Sequence, residues 1–276
     1  MLKKELRWFF PEKPDEIPDI LKKEAKVAFH GGGTSILRIK SDVITAMVDL
    51  SKLGWNKIRK DGSSVVIGAT ATFNEVVKSS ASTACSFRML QDALSRAASN
   101  SIRNRITVGG SLADFPPWSD LIATLIALDA KVTWLEDGKA EKKASVAEFI
   151  EKKLGKDKNL VREITVPEKD LSYSVKRLAR TSFEYGMFNL AVSCVVKNGT
   201  IESPVIVVTG TKDRVARQSD AEAAIAGKAL TDDVIRDAAA RVKVEFNADV
   251  NFGAEYKANM VGVYLKDALA EIAGRK

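Results

Sequence analysis

The sequence predicts an α+β fold, and three observations carry that prediction. Two glycine segments, Gly31-Gly32-Gly33-Thr34-Ser35 and Thr107-Val108-Gly109-Gly110-Ser111, each follow a strand-like run. Glycine lets the backbone approach a ligand closely and turn consecutive N–H groups toward an anion, so the pair predicts a chain that holds a diphosphate from two sides. Beyond residue 168, three strand-like runs (171–178, 190–197 and 204–209) precede a run of helical patterns instead of alternating with them. That order argues for α+β and against a doubly wound sheet. Finally, a chain of 276 residues that is 45% hydrophobic can bury a sizeable core and divide into two domains or so.

In chain order, residues 1–55 read as an entry segment, a helix near 16–24, a strand at 26–30, the first glycine loop and a strand at 44–50. Residues 56–167 read as a strand at 65–69, a helix opened by Thr72 with Glu75 in capping-box position, and a helix at 87–98. The second glycine loop, a helix at 119–127, a strand at 130–135 ending in the Asp137-Gly138 turn, and Thr165-Val166-Pro167 complete that region. From 168 to 276 come the three strands, the second and third joined through Lys197-Asn198-Gly199, a strong hairpin signal. A short helix at 220–226 capped by Gly227 and helices at 232–244 and 255–273 follow. No internal repeat or low-complexity tract interrupts this order.

Several function classes are excluded by the same residues. Read as a dinucleotide fingerprint, the first loop gives Gly31, Gly33 and then Ile36 where Gly or Ala is needed; Asp49, in place for a ribose-binding acid, reads equally well as a strand-end acid. No phosphate-binding P-loop pattern occurs. Cys85 and Cys194 are the only cysteines, too few for an iron–sulfur cluster, and read as two buried structural thiols. The single histidine, His30, excludes a His-rich metal centre. The 43 Lys and Arg residues against 36 Asp and Glu give a net charge of +7, but the charges are dispersed and of mixed sign. They predict a solvated surface with some complementarity to acidic partner subunits, not a nucleic-acid interface. No apolar stretch approaches the roughly 18 residues of a membrane span. The first ten residues are broken by charges and followed by Pro11 and Pro14, so neither signal peptide nor anchor is expected and a cytoplasmic location is the default.

Val27-Ala-Phe-His-Gly-Gly-Gly-Thr-Ser-Ile-Leu37, Val66-Ile-Gly-Ala-Thr70 and Ile102-Arg-Asn-Arg-Ile-Thr-Val-Gly-Gly-Ser-Leu-Ala113, with Ser119-Asp120-Leu121 and Leu125-Ile-Ala-Leu-Asp-Ala130, carry a more specific signal. Together they resemble the FAD-binding medium subunit of the molybdenum hydroxylases, the xanthine dehydrogenase and carbon monoxide dehydrogenase family. The resemblance implies a two-part FAD-binding domain of the PCMH/VAO type, residues 1–55 and 56–167, followed by a C-terminal α+β domain, residues 168–276. It further implies an electron-transfer flavoprotein subunit that takes electrons from an iron–sulfur partner and passes them to NAD or a quinone-like acceptor. A [2Fe–2S] cluster and molybdopterin are expected on separate partner chains.

Residue by residue, Gly31, Gly32, Gly33, Thr34 and Ser35 are the pyrophosphate candidates, with hydroxyl donors from Thr34 and Ser35. By resemblance, Thr107, Gly109, Gly110 and Ser111 face the phosphate or ribityl portion, Ser111 standing where the family carries Asn. Asp120 matches the family's flavin-contacting acid, or is an N-terminal helix acid favoured by the macrodipole. Lys176 matches the family's lysine near the flavin ring, with Arg177 and Arg180 as alternative registers. Ile164 is expected as an apolar wall. His30 replaces the family's small residue and either packs at the adenine end or lies over the loop. Phe115-Pro-Pro-Trp118 reads as a flavin screen, a partner contact or a surface plug. Two further function classes fit the same residues: a self-contained flavin reductase of the same superfamily, and a non-catalytic flavin-binding or assembly protein.

Overall fold

The computed structural model describes residues 6–36, 44–155, 159–250 and 252–274. Its contacts divide the chain into two compact units, Met1–Ser82 with Ser99–Phe115 and Asp129–Pro167, and Thr83–Ala98 with Pro116–Leu128 and Glu168–Lys276.

The first unit holds two sheets. In the smaller, β1 (Arg7–Phe9), β2 (Val27–His30) and β3 (Ala46–Asp49) run parallel in the order β1-β3-β2. One sheet face carries Phe9, Phe29 and Val48, which pack with Ile17 and Leu21 of helix α1 (Ile17–Lys23). The larger sheet is antiparallel, order β4-β5-β8-β6-β7. It is formed by β4 (Ile58–Asp61), β5 (Ser64–Gly68), β6 (Lys131–Glu136), β7 (Ala140–Ser145) and β8 (Leu160–Pro167). The β6–β7 hairpin turns at Asp137 (φ 50°) and Gly138 (φ 72°), the two positive angles that a tight hairpin needs. Helix α2 (Phe73–Lys78) opens on the expected capping box: Thr72 Oγ1 accepts from the Glu75 N–H at 3.2 Å, and Glu75 accepts from the Thr72 N–H at 2.7 Å.

The second unit is built on one antiparallel sheet, β12-β11-β10-β9. Its strands are β9 (Ser172–Leu178), β10 (Phe188–Lys197), β11 (Thr200–Thr211) and β12 (Arg214–Arg217), with the β10–β11 turn at Asn198 (φ 51°) and Gly199 (φ 78°). Side chains alternate across it. One face, with Leu178, Phe188, Leu190, Val192, Ile206 and Val208, packs on three helices, Ser219–Ile225, Asp232–Ala240 and Ala254–Ile272. The other face meets helix α3 (Cys85–Ser95), which follows α2 in the chain. Arg96 just beyond α3 donates to the Val175 carbonyl at 3.0 Å, and Tyr173 donates to Asp92 at 2.6 Å.

Between α3 and β6 lie three further helices: α4 (Asn100–Arg103), α5 (Val108–Asp114) and α6 (Ile122–Ala127). Ser193 on β10 donates to the Ala127 carbonyl of α6 at 2.7 Å, on the sheet face that also meets α3. Helix α7 (Val146–Glu151) follows β7 behind a Ser145 cap, and α8 (Ser219–Ile225), α9 (Asp232–Ala240) and α10 (Ala254–Ile272) close the chain.

Two expectations change. The Thr107–Ser111 segment is not a loop: Thr107 is the N-cap of α5, and both glycines lie in the helix's first turn. Cys85 is partly exposed, its thiol donating to Asp170 at 3.1 Å, whereas Cys194 is buried as expected; neither forms a disulfide.

Candidate functional site

The first glycine loop leaves β2 and turns back sharply, with Gly33 at φ +79°. The N–H groups of Gly31, Gly32, Gly33 and Thr34 meet no acceptor among the described residues. Four consecutive donors left open on a curved backbone form an anion nest. The glycines are also required by the chain itself. A Cβ on Gly32 would stand 1.6 Å from the Arg105 carbonyl oxygen, and one on Gly31 2.9 Å from Thr107 Oγ1. The loop is held from the side by Ser35, which donates to Asp114 at 2.8 Å, and by Arg105, whose Nε donates to the Gly32 carbonyl at 3.2 Å. The Ser35 hydroxyl is therefore directed at Asp114, not outward.

His30, the last residue of β2, places Nδ1 2.8 Å from Asp49 Oδ2 and lies edge-on to Trp8 with ring centroids 5.5 Å apart. Asp49 also accepts from the Ser51 N–H at 2.8 Å. Burial pushes the Asp49 carboxyl up, but hydrogen bonds from Ser51 and then His30 outweigh it and hold the group below its ordinary value. Asp49 is a strand-end acid.

The second glycine segment has a different character. The Val108 N–H donates to Ala71, Gly109 to Ala69, Gly110 to Thr107 Oγ1 and Ser111 to the Thr107 carbonyl. All four donors are taken up inside the fold, so a backbone nest on this side is not formed. Gly109 is glycine because a Cβ there would come 2.5 Å from Ala69 Cβ and 2.8 Å from its carbonyl oxygen. Thr107 and Ser111 are buried, and Gly110 alone is exposed. Ile164 lies in β8 between Ile67 and Val132 with 0% exposure, a core residue of the sheet and not an open wall.

In the second unit, Lys176 and Arg177 project from opposite faces of β9. Lys176 Nζ donates to Glu271 of α10 at 2.7 Å, while Arg177 Nε lies 2.9 Å from Asp120 Oδ1. The cation beside Asp120 is thus Arg177, the neighbouring register. Both side chains are nearly buried, at 11% exposure for Asp120 and 10% for Arg177. Their 2.9 Å approach is an ion pair, in which burial pushes the carboxyl up more than Arg177 pulls it down. The Asp120 carboxyl is thereby pushed up to about 6. Trp118 packs against Tyr185 with the rings tilted by 35° and centroids 4.5 Å apart.

The family model described as the FAD binding domain in molybdopterin dehydrogenase matches residues 4–169, and the CO dehydrogenase flavoprotein C-terminal domain matches residues 173–272. The chain belongs to the FAD-binding medium subunits of the molybdenum hydroxylases. As such it is an FAD-dependent oxidoreductase subunit. This medium subunit is 26% identical over 257 residues to the glyceraldehyde dehydrogenase medium chain of Sulfolobus acidocaldarius, spanning 88% of this chain and 89% of that one. It is 28% identical over 234 residues to the carbon monoxide dehydrogenase medium chain of Hydrogenophaga pseudoflava, covering 81% and 80%. Its fold is that of solved carbon monoxide dehydrogenases. The TM-score is 0.89 at 24% identity to the Hydrogenophaga pseudoflava enzyme lacking the Mo-pyranopterin moiety, over 98% of this chain and 97% of that one. The same score, at 22% identity and full coverage of both chains, relates it to reconstituted CO dehydrogenase from Oligotropha carboxidovorans. Among the described residues, no helix is long and apolar enough to cross a membrane, and no cluster of His, Cys, Asp and Glu could hold a metal ion.

Proposed function

We propose that this medium subunit carries electrons through FAD from an iron–sulfur partner chain to NAD or a quinone-like acceptor, while a molybdopterin-bearing chain oxidises the organic substrate. The observation that supports it most directly is the run of four N–H groups from Gly31 to Thr34 that meet no acceptor among the described residues. Such a nest suits the pyrophosphate of a dinucleotide. FAD, when bound, supplies the redox chemistry; the chain supplies position and electrostatics.

Within that reading, Gly31, Gly32, Gly33 and Thr34 hold phosphate, and Gly110 offers the one accessible surface of the second segment. Thr107, Gly109 and Ser111 shape that segment from within. The family resemblance alone makes Asp120, which lies beside Arg177, and Lys176, which is tied to Glu271, candidates for the cofactor. The division of labour follows residues 1–55, 56–167 and 168–276, and the three sheets fall one in each span. A cytoplasmic location accords with two cysteines that form no disulfide.

Two measurements test the proposal. Chromatography of the flavin released on denaturation should give FAD; FMN alone, or no flavin, contradicts it. Reconstitution with the iron–sulfur and molybdenum chains should make substrate bleach the flavin in a stopped-flow trace. Turnover of an organic substrate by the isolated chain would instead favour the self-contained reductase.

A further inference from the structure

We propose that Arg105 is a phosphate ligand of the bound dinucleotide, its guanidinium fastened across the first glycine loop by the loop's own backbone. The inference rests on the FAD reading above and adds a full positive charge to a nest that otherwise offers only partial ones.

The geometry is specific. Arg105 Nε donates to the Gly32 carbonyl at 3.2 Å, and Nη2 passes 3.8 Å from the point where a Cβ on Gly33 would stand. The guanidinium therefore lies along the same turn whose N–H groups are open. Its backbone is fixed from both ends: the Arg105 N–H donates to Ile102 at 2.8 Å, and its carbonyl lies within 1.6 Å of the Cβ position denied to Gly32. No acid neutralises it among the described residues. Of the carboxylates tied to the loop and its strand, Asp114 accepts from Ser35, and Asp49 accepts from His30 and Ser51.

A guanidinium has five N–H donors in a planar fork, and among the described residues only one is committed. The remaining donors face solvent on an exposed side chain. Arginine matches phosphate oxygens in pairs, and charge-assisted hydrogen bonds of this kind are the strong ones. Holding Nε on Gly32 removes much of the rotamer freedom that an exposed arginine would otherwise lose on binding. Residue 105 falls between Asn104 and Ile106 in the Ile102–Ala113 stretch, and the resemblance of that stretch gives it no role.

The test uses the full chain stripped of flavin, titrated with FAD by flavin fluorescence at several NaCl concentrations, with Arg105→Gln and Arg105→Lys beside the wild type. Glutamine keeps an N–H donor for the Gly32 carbonyl but no charge; lysine keeps the charge. Arg105→Gln should weaken FAD binding about tenfold and flatten its salt dependence, and Arg105→Lys should recover part of the loss. The unfolding midpoints of the flavin-free chains should agree. Wild-type affinity in Arg105→Gln overturns the Arg105 assignment and leaves the FAD reading intact. Equal losses in both variants, together with lowered midpoints, also overturn it, because the residue would then only brace the loop. A wild-type chain that binds no FAD removes the functional reading itself.

Discussion

A single methyl group distinguishes the glycines. At Gly32 it would overlap the Arg105 carbonyl at 1.6 Å, and neither backbone can yield without moving the loop. Gly32→Ala is therefore expected to cost about 1–3 kcal/mol of stability even without flavin, the range for overpacking. At Gly110 the one atom met beyond the chain neighbours and the helix's own backbone, among the described residues, is Thr107 Oγ1, at 2.7 Å, and the position is helical. Losing that cap bond costs about 1 kcal/mol and gaining alanine's helix propensity returns about as much, so Gly110→Ala should be close to neutral. Denaturant unfolding of the flavin-free variants separates the two, and a neutral Gly32→Ala would show that the loop moves freely. Asp120 gives a second test at this scale. Its folded pKa, about 6, lies above the ordinary carboxylate value, so the native state keeps a proton that the unfolded chain releases near pH 4. Stability from this group is present below pH 4 and is lost as pH rises through about 6. Relative to Asp120→Asn, the wild type should lose on the order of 2–3 kcal/mol across that window. The unpaired Arg177 in the variant adds only an offset that does not change with pH. Urea titrations from pH 4 to 7.5 read the difference, and a flat one would mean that Asp120 ionises at its ordinary value.

Among the elements, α10 and β9 are clasped by Glu271, which accepts from Ser174 and from Lys176, each at 2.7 Å. The Lys176 hydrogen bond, aided by Ser174 and opposed by burial, holds the Glu271 carboxyl below its ordinary value. This contribution is present above about pH 4.5 and fades as pH falls. Because Glu271 is half exposed, Glu271→Gln should cost well under 1 kcal/mol overall. Its effect should appear as faster hydrogen exchange in the last turn of α10, and unchanged exchange would remove the clasp. Elements of this molecule were legible in the sequence where a local backbone demand defines them. The Thr72–Glu75 box, the Asp137-Gly138 turn and the Lys197-Asn198-Gly199 turn all depend on residues adjacent in the chain. Strands β4, β7 and β12 were not legible, since each is a sheet edge rich in charge, as in Ile58-Arg-Lys-Asp61, and lacks an apolar alternation. The Gly109-Gly110 pair misled for a related reason. What requires glycine at 109 is Ala69, forty residues upstream, and no neighbouring residue signals that approach. Likewise, two adjacent basic residues left the register of Lys176 and Arg177 open until β9 assigned each a face.

For the whole molecule, the division into units does not follow the division of the sequence. The sheet of the second unit is made after residue 168, yet one of its faces is covered by α3 and α6, which precede residue 130. Residues 168–276 expressed alone would bare Val175, Ala191 and Val207 on that face. The fragment should be poorly soluble and exchange its β10 amides quickly, and co-expression with residues 1–167 should restore protection. A fully protected lone fragment would show that the sheet needs neither helix. The same arrangement imposes an order in time on the nascent chain. Helix α3, with Phe87, Met89, Leu90 and Leu94 directed inward, leaves the ribosome about a hundred residues before β10 exists to receive it. At translation speeds of about 5–20 residues per second, that apolar face waits roughly 5–20 s for its sheet. It is the stretch of this polypeptide that a chaperone has most reason to shield.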